Sequence, residues 1–173
     1  MKPIADAAVL AGSYDYRLVA LSVVIAVLAS YAALDLGGRV TAARGRVRLL
    51  WLAGGAAAMG LGIWSMHYIG MLAYSLPVEV LYDWPTVLVS LLAAVVASGV
   101  ALFVASRNVL RPVRTGVGGI FMGTAIAAMH YIGMEAMRLP AMCRYSAGLV
   151  ILSVVLAIVI SLVALWLTFH LRE

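Results

Sequence analysis

The sequence predicts an all-α fold, a polytopic transmembrane bundle of about five helices built from tandem parallel two-helix repeats. Three observations predict it. The composition is far more apolar than that of a soluble domain, and the apolar residues are gathered into five segments of membrane-spanning length. In addition, one six-residue motif occurs twice, each time near the end of such a segment. Together these features indicate a chain that lipid surrounds on most sides.

The composition excludes an ordinary soluble domain. Of the 173 residues, 65% are hydrophobic and only 11% are charged, and the mean hydropathy is +1.09. Soluble domains carry roughly 25% charged residues. One small core cannot bury so much apolar surface, so the lipid bilayer must solvate much of it. The single cysteine, Cys143, rules out a disulfide within the chain.

Five apolar segments are close to the roughly 20 residues that a helix needs to cross the hydrocarbon core. They are residues 18–36, 49–72, 86–106, 115–137 and 148–169. At the end of the first of them, Asp35 and Arg39 are spaced as an i,i+4 ion pair. Near the end of the fourth, Glu135 and Arg138 are predicted to form a similar pair.

The charges between these segments predict the orientation of the chain. The connectors 37–48 and 107–114 hold seven arginines and no acid, whereas the connector 73–85 holds Glu79 and Asp83 and no base. Arginine-rich connectors stay in the cytoplasm, so the N-terminus is predicted to be external and the C-terminus cytoplasmic. The arginines behind the net charge of +5 are therefore explained by their role in orienting the helices, and we expect no nucleic-acid partner.

The sequence Met-His-Tyr-Ile-Gly-Met occurs at residues 66–71 and again at residues 129–134. The segment before each motif opens alike, with Tyr-Asp-Tyr at 14–16 and Tyr-Asp-Trp at 82–84, and Cys-Arg-Tyr at 143–145 opens a further segment. A recurring unit of this kind is typical of a repeat architecture. We predict one domain, 1–173, with full units at about 14–77 and 82–140 and a half unit at 143–173.

Two crossings return the chain to the side on which it began, so successive units are parallel repeats about an axis along the membrane normal. Both motifs should then lie at the same depth, near the external face. Ahead of each motif, small residues at 56 and 60 and at 119 and 123 form stripes that let membrane helices approach closely. We therefore expect the motif histidines to face the bundle interior.

The motif places polar chemistry inside an apolar span. An imidazole within the membrane is costly unless paired and by default marks a functional site, and here His67 and His130 recur at one depth. Each shares its helix face with a methionine four residues later, Met71 and Met134. Imidazole with thioether is a soft ligand set that suits copper, above all Cu(I).

A packing interpretation stays open at this point. Methionine in membrane helices usually fills space, and each histidine could simply donate a hydrogen bond to Tyr68 or Tyr131. A second alternative is a b-type haem protein with His67 and His130 as axial ligands. The sequence offers no Ser-His-Asp order, phosphate loop or paired carboxylates, so we expect no enzymatic activity of its own.

At these motifs the chain resembles the MHYT domain, a bacterial integral-membrane sensor module, with Ile69 and Ile132 in place of the family's Thr. The likeness extends to residues 30–32 and 59–64 and covers nearly the whole chain. It implies a place in the bacterial inner membrane, with copper bound near the outer face. The ligands that it implies are His67, His130, Met66, Met71, Met129 and Met134, with Tyr68, Tyr131, Gly70 and Gly133 supporting.

The resemblance also implies what the domain senses and reports to. Members are suggested to sense a diatomic gas such as oxygen, carbon monoxide or nitric oxide. They commonly carry cytoplasmic output domains, such as cyclic-di-GMP synthases and phosphodiesterases or histidine kinases. Because the family usually has three motifs, we expect the native gene to continue past codon 173 with a third His-bearing helix and a signalling domain. A packing and dimerisation module without a cofactor is the remaining alternative, and a homodimer is left open.

Overall fold

The computed structural model describes residues 11–107, 112–140 and 145–170. Within these ranges it contains five helices: α1 Tyr16–Ala42, α2 Gly45–Leu72, α3 Trp84–Ala105, α4 Pro112–Glu135 and α5 Ala147–His170. Four two-residue strands lie between them: β1 Ser13–Tyr14, β2 Tyr74–Ser75, β3 Leu81–Tyr82 and β4 Met137–Arg138. All five helices are long and apolar enough to cross a membrane. The prediction of an all-α, multi-pass bundle is confirmed.

The connector predicted at 37–48 is wrong in its extent. α1 continues to Ala42, α2 begins at Gly45, and the chain reverses at that glycine, whose φ is +56°. Arginine is a good helix former, so a helix need not end where the apolar residues end. The predicted pair of Asp35 and Arg39 forms at 2.6 Å. It lies within α1, where an i,i+4 ion pair adds support to the helix.

The short strands tie the two ends of each helix pair together. β1 pairs antiparallel with β2, and β3 pairs antiparallel with β4. Beside them, the backbone N–H of Asp15 donates to the Ala73 carbonyl at 2.8 Å, and that of Asp83 donates to the Ala136 carbonyl at 2.8 Å. α1 therefore begins where α2 ends, and α3 begins where α4 ends. Strands of two residues carry too little pattern to be predicted from sequence.

The recurring Tyr-Asp-aromatic opening is a helix cap. Asp15 is the N-cap of α1 and accepts from the Arg17 N–H at 2.9 Å. Asp83 is the N-cap of α3 and accepts from both the backbone N–H and the hydroxyl of Thr86. These hydrogen bonds from Thr86 hold the pKa of the Asp83 carboxyl below its usual value. An N-cap carboxylate satisfies N–H groups that the helix itself leaves unpaired.

Arg138 lies 3.8 Å from Asp83, across the β3–β4 pair. The pair predicted for Arg138 was with Glu135, so the structure gives this arginine a different carboxylate. The reason is tertiary, since β4 carries Arg138 away from the end of α4 and towards the start of α3. Both charged groups of the pair are partly exposed, which makes the attraction between them weak.

We predict that Asp83→Ala lowers the melting temperature by a few degrees, because α3 loses its cap. The folded-state pKa is depressed, so this stabilisation is fully present above the ordinary Asp pKa. It is lost as the pH falls through the lower, folded-state value. Thermal unfolding in detergent between pH 3 and pH 7 measures it. The control is Glu79→Ala, an exposed acid near β3. Equal melting temperatures for the two variants at pH 7 would show that the Asp83 side chain does not stabilise α3 as its N-cap.

Two glycines set the closest helix contacts, as the small-residue stripes predicted. A Cβ at Gly60 would lie 2.6 Å from the Val95 Cα, and a Cβ at Gly123 would lie 2.4 Å from the Ile158 Cα. Real Cβ atoms essentially never come so close to backbone. α2 therefore packs directly on α3, and α4 on α5, at equivalent positions of the two units. A cluster of buried hydrophobic side chains that includes Met122 lies where α3, α4 and α5 meet.

Candidate functional site

The two motif histidines come together at one end of the bundle. His67 lies near the end of α2 and His130 near the end of α4. Their ring centroids are 4.9 Å apart, and the ring planes are inclined by 62°. α2 and α4 are not neighbours along the chain, so this contact comes from the repeat, which places both motifs at one level. An imidazole pair is the chemical centre of the site.

The His67 side chain of the first motif packs against Gly133 of the second. A Cβ at Gly133 would lie 3.0 Å from Nε2 of His67 and 3.6 Å from the Met71 sulfur. The bare backbone of α4 thus lets an imidazole and a thioether from α2 lie against it, beside His130. The equivalent Gly70 differs, because the nearest atom to a Cβ there is the Ser22 Oγ at 3.7 Å. The two motifs are alike in sequence but not in contacts.

The Nε2 atom of His67 is buried and has no hydrogen-bond partner among the described residues. A buried polar atom without a partner costs about 1–3 kcal/mol of free energy. Such atoms are rare in native structures and call for an explanation. The alternative in which Tyr68 or Tyr131 accepts from this nitrogen is therefore not the arrangement seen. The nitrogen is available to a ligand.

The motif tyrosines take different roles. Tyr68 stacks on Trp64 with centroids 5.2 Å apart and planes 10° from parallel. Tyr131 packs edge-on against His130, with centroids 5.0 Å apart, and its hydroxyl lies 2.6 Å from the Ser153 Oγ. Tyr131 therefore contacts the candidate site directly. Tyr68 belongs to an aromatic layer beside it.

Three serines at the level of the motifs were not predicted to belong to the site. Ser22, Ser90 and Ser153 lie at equivalent positions of α1, α3 and α5. The Ser22 hydroxyl donates to the Met66 carbonyl at 2.8 Å, and the Trp64 indole donates to the Ser90 Oγ at 3.0 Å. Each serine joins its helix to a motif-bearing helix. The signal was available, because Ser22 and Ser90 follow the two Asp caps at the same distance.

The remaining predicted methionines lie in other surroundings. Met66 lines a cavity of about 320 Å³ together with Met59 and Met122. Met129 is buried, with 3% of its surface exposed, and Met134 is half-buried. Of the six predicted ligands, the contacts described above unite His67, His130 and Met71.

The described residues hold no group of three or more His, Cys, Asp or Glu side chains that could bind a metal. Thioether sulfur is the donor that this site offers beside its two imidazoles. Cys143, a further soft ligand in the sequence, lies outside the described residues. His170 stacks on Trp166, with centroids 4.7 Å apart, at the opposite end of the bundle. It cannot share a site with the other two histidines.

Comparison with characterised sequences places the chain among bacterial signalling proteins. It is 49% identical over 164 residues to the bifunctional diguanylate cyclase/cyclic di-GMP phosphodiesterase MucR of Pseudomonas aeruginosa. It is 38% identical over 159 residues to the signaling protein YkoW of Bacillus subtilis. It is 39% identical over 160 residues to the cyclic di-GMP phosphodiesterase NbdA of Pseudomonas aeruginosa.

These alignments cover 95%, 92% and 92% of the chain but only 24%, 20% and 20% of the relatives. The activities in the relatives' names therefore describe much longer proteins. No solved structure matches the chain significantly. The sequence model of the MHYT family, described as a bacterial signalling protein N terminal repeat, matches residues 7–54, 60–118 and 123–173. The chain, a multi-pass sensory module whose two motif histidines lie side by side, belongs to the MHYT family.

Proposed function

We propose that this module binds a soft metal ion, most suitably copper, between His67 and His130. One observation carries the proposal. Two imidazoles from separate motifs lie 4.9 Å apart, and the Nε2 of one is buried without a partner. Neutral imidazole nitrogen is among the commonest metal ligands in proteins. An intramembrane histidine pair of this kind is a functional site by default.

The separation of the rings suits a shared ion. A metal about 2.0–2.1 Å from a ring nitrogen lies about 3.2 Å from the ring centroid, so two imidazoles at a tetrahedral angle have centroids about 5 Å apart. The observed distance is 4.9 Å. The Met71 sulfur, against the same glycine as His67, adds a thioether, and this donor set favours Cu(I) over hard cations. Bound copper would supply a redox-active centre that responds to oxygen, carbon monoxide or nitric oxide.

The haem alternative has less support. A haem held by both histidines needs its whole macrocycle between the two rings, whereas α4 packs at Gly133 directly against the Nε2 edge of His67. The packing alternative draws support from Met66, which lines a cavity with other methionines. It leaves the buried nitrogen of His67 unexplained, and a ligand would explain it.

We further propose that the module reports to a cytoplasmic output domain. Its relatives MucR and NbdA are named for making or hydrolysing cyclic di-GMP, and each is several times longer than the region that it shares with this chain. In this chain, a change at the histidine pair would alter how α2 and α4 pack. Because α5 packs on α4, its C-terminal end is the element that would pass this change to the cytoplasm.

The orientation rests on the arginine-rich connectors and is tested by cysteine labelling. With Cys143 replaced by Ala, we expect Ser75→Cys in β2 to react with an impermeant thiol reagent added outside intact cells. Thr41→Cys, at the end of α1, should react only after the membrane is permeabilised. The two positions lie at opposite ends of the bundle. The reverse pattern would overturn the external placement of the motifs.

The proposed function is tested by metal analysis of the full chain purified without chelator, together with its absorption spectrum. We expect copper to co-purify and no Soret band to appear. A Soret band that is lost in the His67→Ala variant would support haem instead. Protein free of metal, which also fails to take up Cu(I) in titration, would support the packing alternative.

A further inference from the structure

Positive charge gathers at the end of the bundle opposite the motifs, and little there neutralises it. Among the side chains that the structure describes, this end holds Arg39, Arg44, Arg46, Arg48 and Arg107, with Asp35 as the one carboxylate. Asp35 is engaged by Arg39 at 2.6 Å. The described ranges therefore offer no carboxylate to the other four arginines, in a region where α1, α2 and α3 meet.

Two of these arginines are held in place between α2 and α3. A terminal nitrogen of Arg48 donates to the Ser106 Oγ at 3.2 Å, and Ser106 is itself buried and donates to the Phe103 carbonyl. The Arg107 guanidinium lies over the Phe103 ring, 4.3 Å from its centroid. Arg48 is thus held at Ser106, the C-cap residue of α3, and Arg107 is held over Phe103 in the last turn of the same helix.

The Arg107 Nε is buried and has no hydrogen-bond acceptor among the described residues. The C-terminal end of α3 carries about half a negative charge, which cannot neutralise two guanidiniums. The N-terminus of α2 adds positive potential, because its cap residue Arg44 supplies no side-chain hydrogen bond and its first turn holds no acid. Preorganised donors with excess positive charge match an anion that carries several oxygen acceptors.

The surroundings identify the source of that anion. Directly beside Arg48, Leu49 and Leu50 are exposed, and Phe103 is 42% exposed beneath Arg107. Exposed apolar side chains therefore lie beside both arginines. Basic pockets between membrane helices bind the headgroups of anionic lipids. We propose that Arg48, which Ser106 holds in place, and Arg107 form a binding site for the phosphate of an anionic phospholipid, whose acyl chains cover Leu49, Leu50 and Phe103.

The test compares two double variants of the full chain that lose the same charge at the same end. In Arg48→Gln/Arg107→Gln the site is removed, and in Arg44→Gln/Arg46→Gln the site is kept. Each protein is purified in neutral detergent and titrated with phosphatidylglycerol or phosphatidylcholine, with bound lipid counted by native mass spectrometry. We expect the first variant to lose at least fivefold in phosphatidylglycerol affinity and the second less than twofold. We expect the unmodified chain to bind phosphatidylglycerol more tightly than phosphatidylcholine.

If the two double variants lose phosphatidylglycerol affinity equally, the lipid is attracted by the overall positive charge of this end and not by a specific site. A parallel titration with inorganic phosphate distinguishes a soluble ligand. If millimolar phosphate displaces phosphatidylglycerol and raises the melting temperature as much as the lipid does, acyl chains add nothing to binding. That result would contradict the proposal of a lipid ligand. Thermal melts without lipid identify a variant that fails to fold. The variant Arg48→Lys/Arg107→Lys keeps both charges and should still prefer phosphatidylglycerol to phosphatidylcholine. Loss of that preference would contradict the proposal.

Discussion

The Gly123→Ala variant is expected to lose more stability than an alanine substitution at any glycine that has open space around it. Its new Cβ would lie 2.4 Å from the Ile158 Cα, 2.6 Å from the Ile158 nitrogen and 2.8 Å from the Ala157 carbonyl oxygen. These are backbone atoms of α5, so no rotamer change relieves the clash and the helices must separate. Overpacking typically costs about 1–3 kcal/mol and occasionally more. Thermal unfolding in detergent measures the loss.

Gly116→Ala is the matched control, because it lies on the same helix and a Cβ there meets nothing within 4 Å. Replacing a helical glycine by alanine contributes up to about 1 kcal/mol where space permits. The control should therefore melt at or above the temperature of the unmodified chain, while Gly123→Ala melts several degrees lower. If the two variants melt together, α4 and α5 are not in backbone contact at this position.

The second large effect concerns the site and is expected from Gly133→Ala. A Cβ at this position would lie 3.0 Å from Nε2 of His67, so the imidazole must shift by a few tenths of an ångström. Metal-ligand distances tolerate only about 0.2 Å, and changes outside the ligand set commonly cost 10–100-fold in affinity. We expect Cu(I) affinity to fall at least tenfold, as measured by competition with a chelator.

The repeat supplies the control, because Gly70→Ala is the same change in the same motif. There the nearest atom to the new Cβ is the Ser22 Oγ at 3.7 Å, an ordinary contact. We expect its affinity to stay within about threefold of the unmodified chain, a difference below 1 kcal/mol. Similar losses in both variants would show that the asymmetry between the motifs has no part in binding.

Much of the fold follows from the sequence, because lipid imposes strict rules on it. Apolar segments of fixed length and a doubled motif were enough to predict five helices in two-helix repeats. The ends were harder to predict. α1 runs past Gly37 and Gly38 to Ala42, because a pair of glycines does not by itself end a helix when helix-compatible residues such as Arg39 follow. The two-residue strands are set by tertiary contacts between the two ends of each unit and leave no periodic signal.

The site could be predicted only in part. The repeat indicated that His67 and His130 share one depth, and they do meet. What it could not indicate is their asymmetry, since identical motifs give identical expectations. The His67 and Met71 side chains of α2 pack against Gly133, whereas Gly70 lies near Ser22 of α1. That difference depends on which helix lies beside each motif, a property of packing and not of the motif.

The copper content of the histidine variants tests most directly whether His67 and His130 bind copper together. The full chain is purified without chelator as the unmodified form, as His67→Ala, as His130→Ala and as the double variant. His170→Ala serves as the control, because this histidine lies at the opposite end of the bundle, stacked on Trp166. We predict sharp losses in both single variants, no bound copper in the double variant and full occupancy in the control. Full copper occupancy in the double variant would show that the two histidines do not bind the metal.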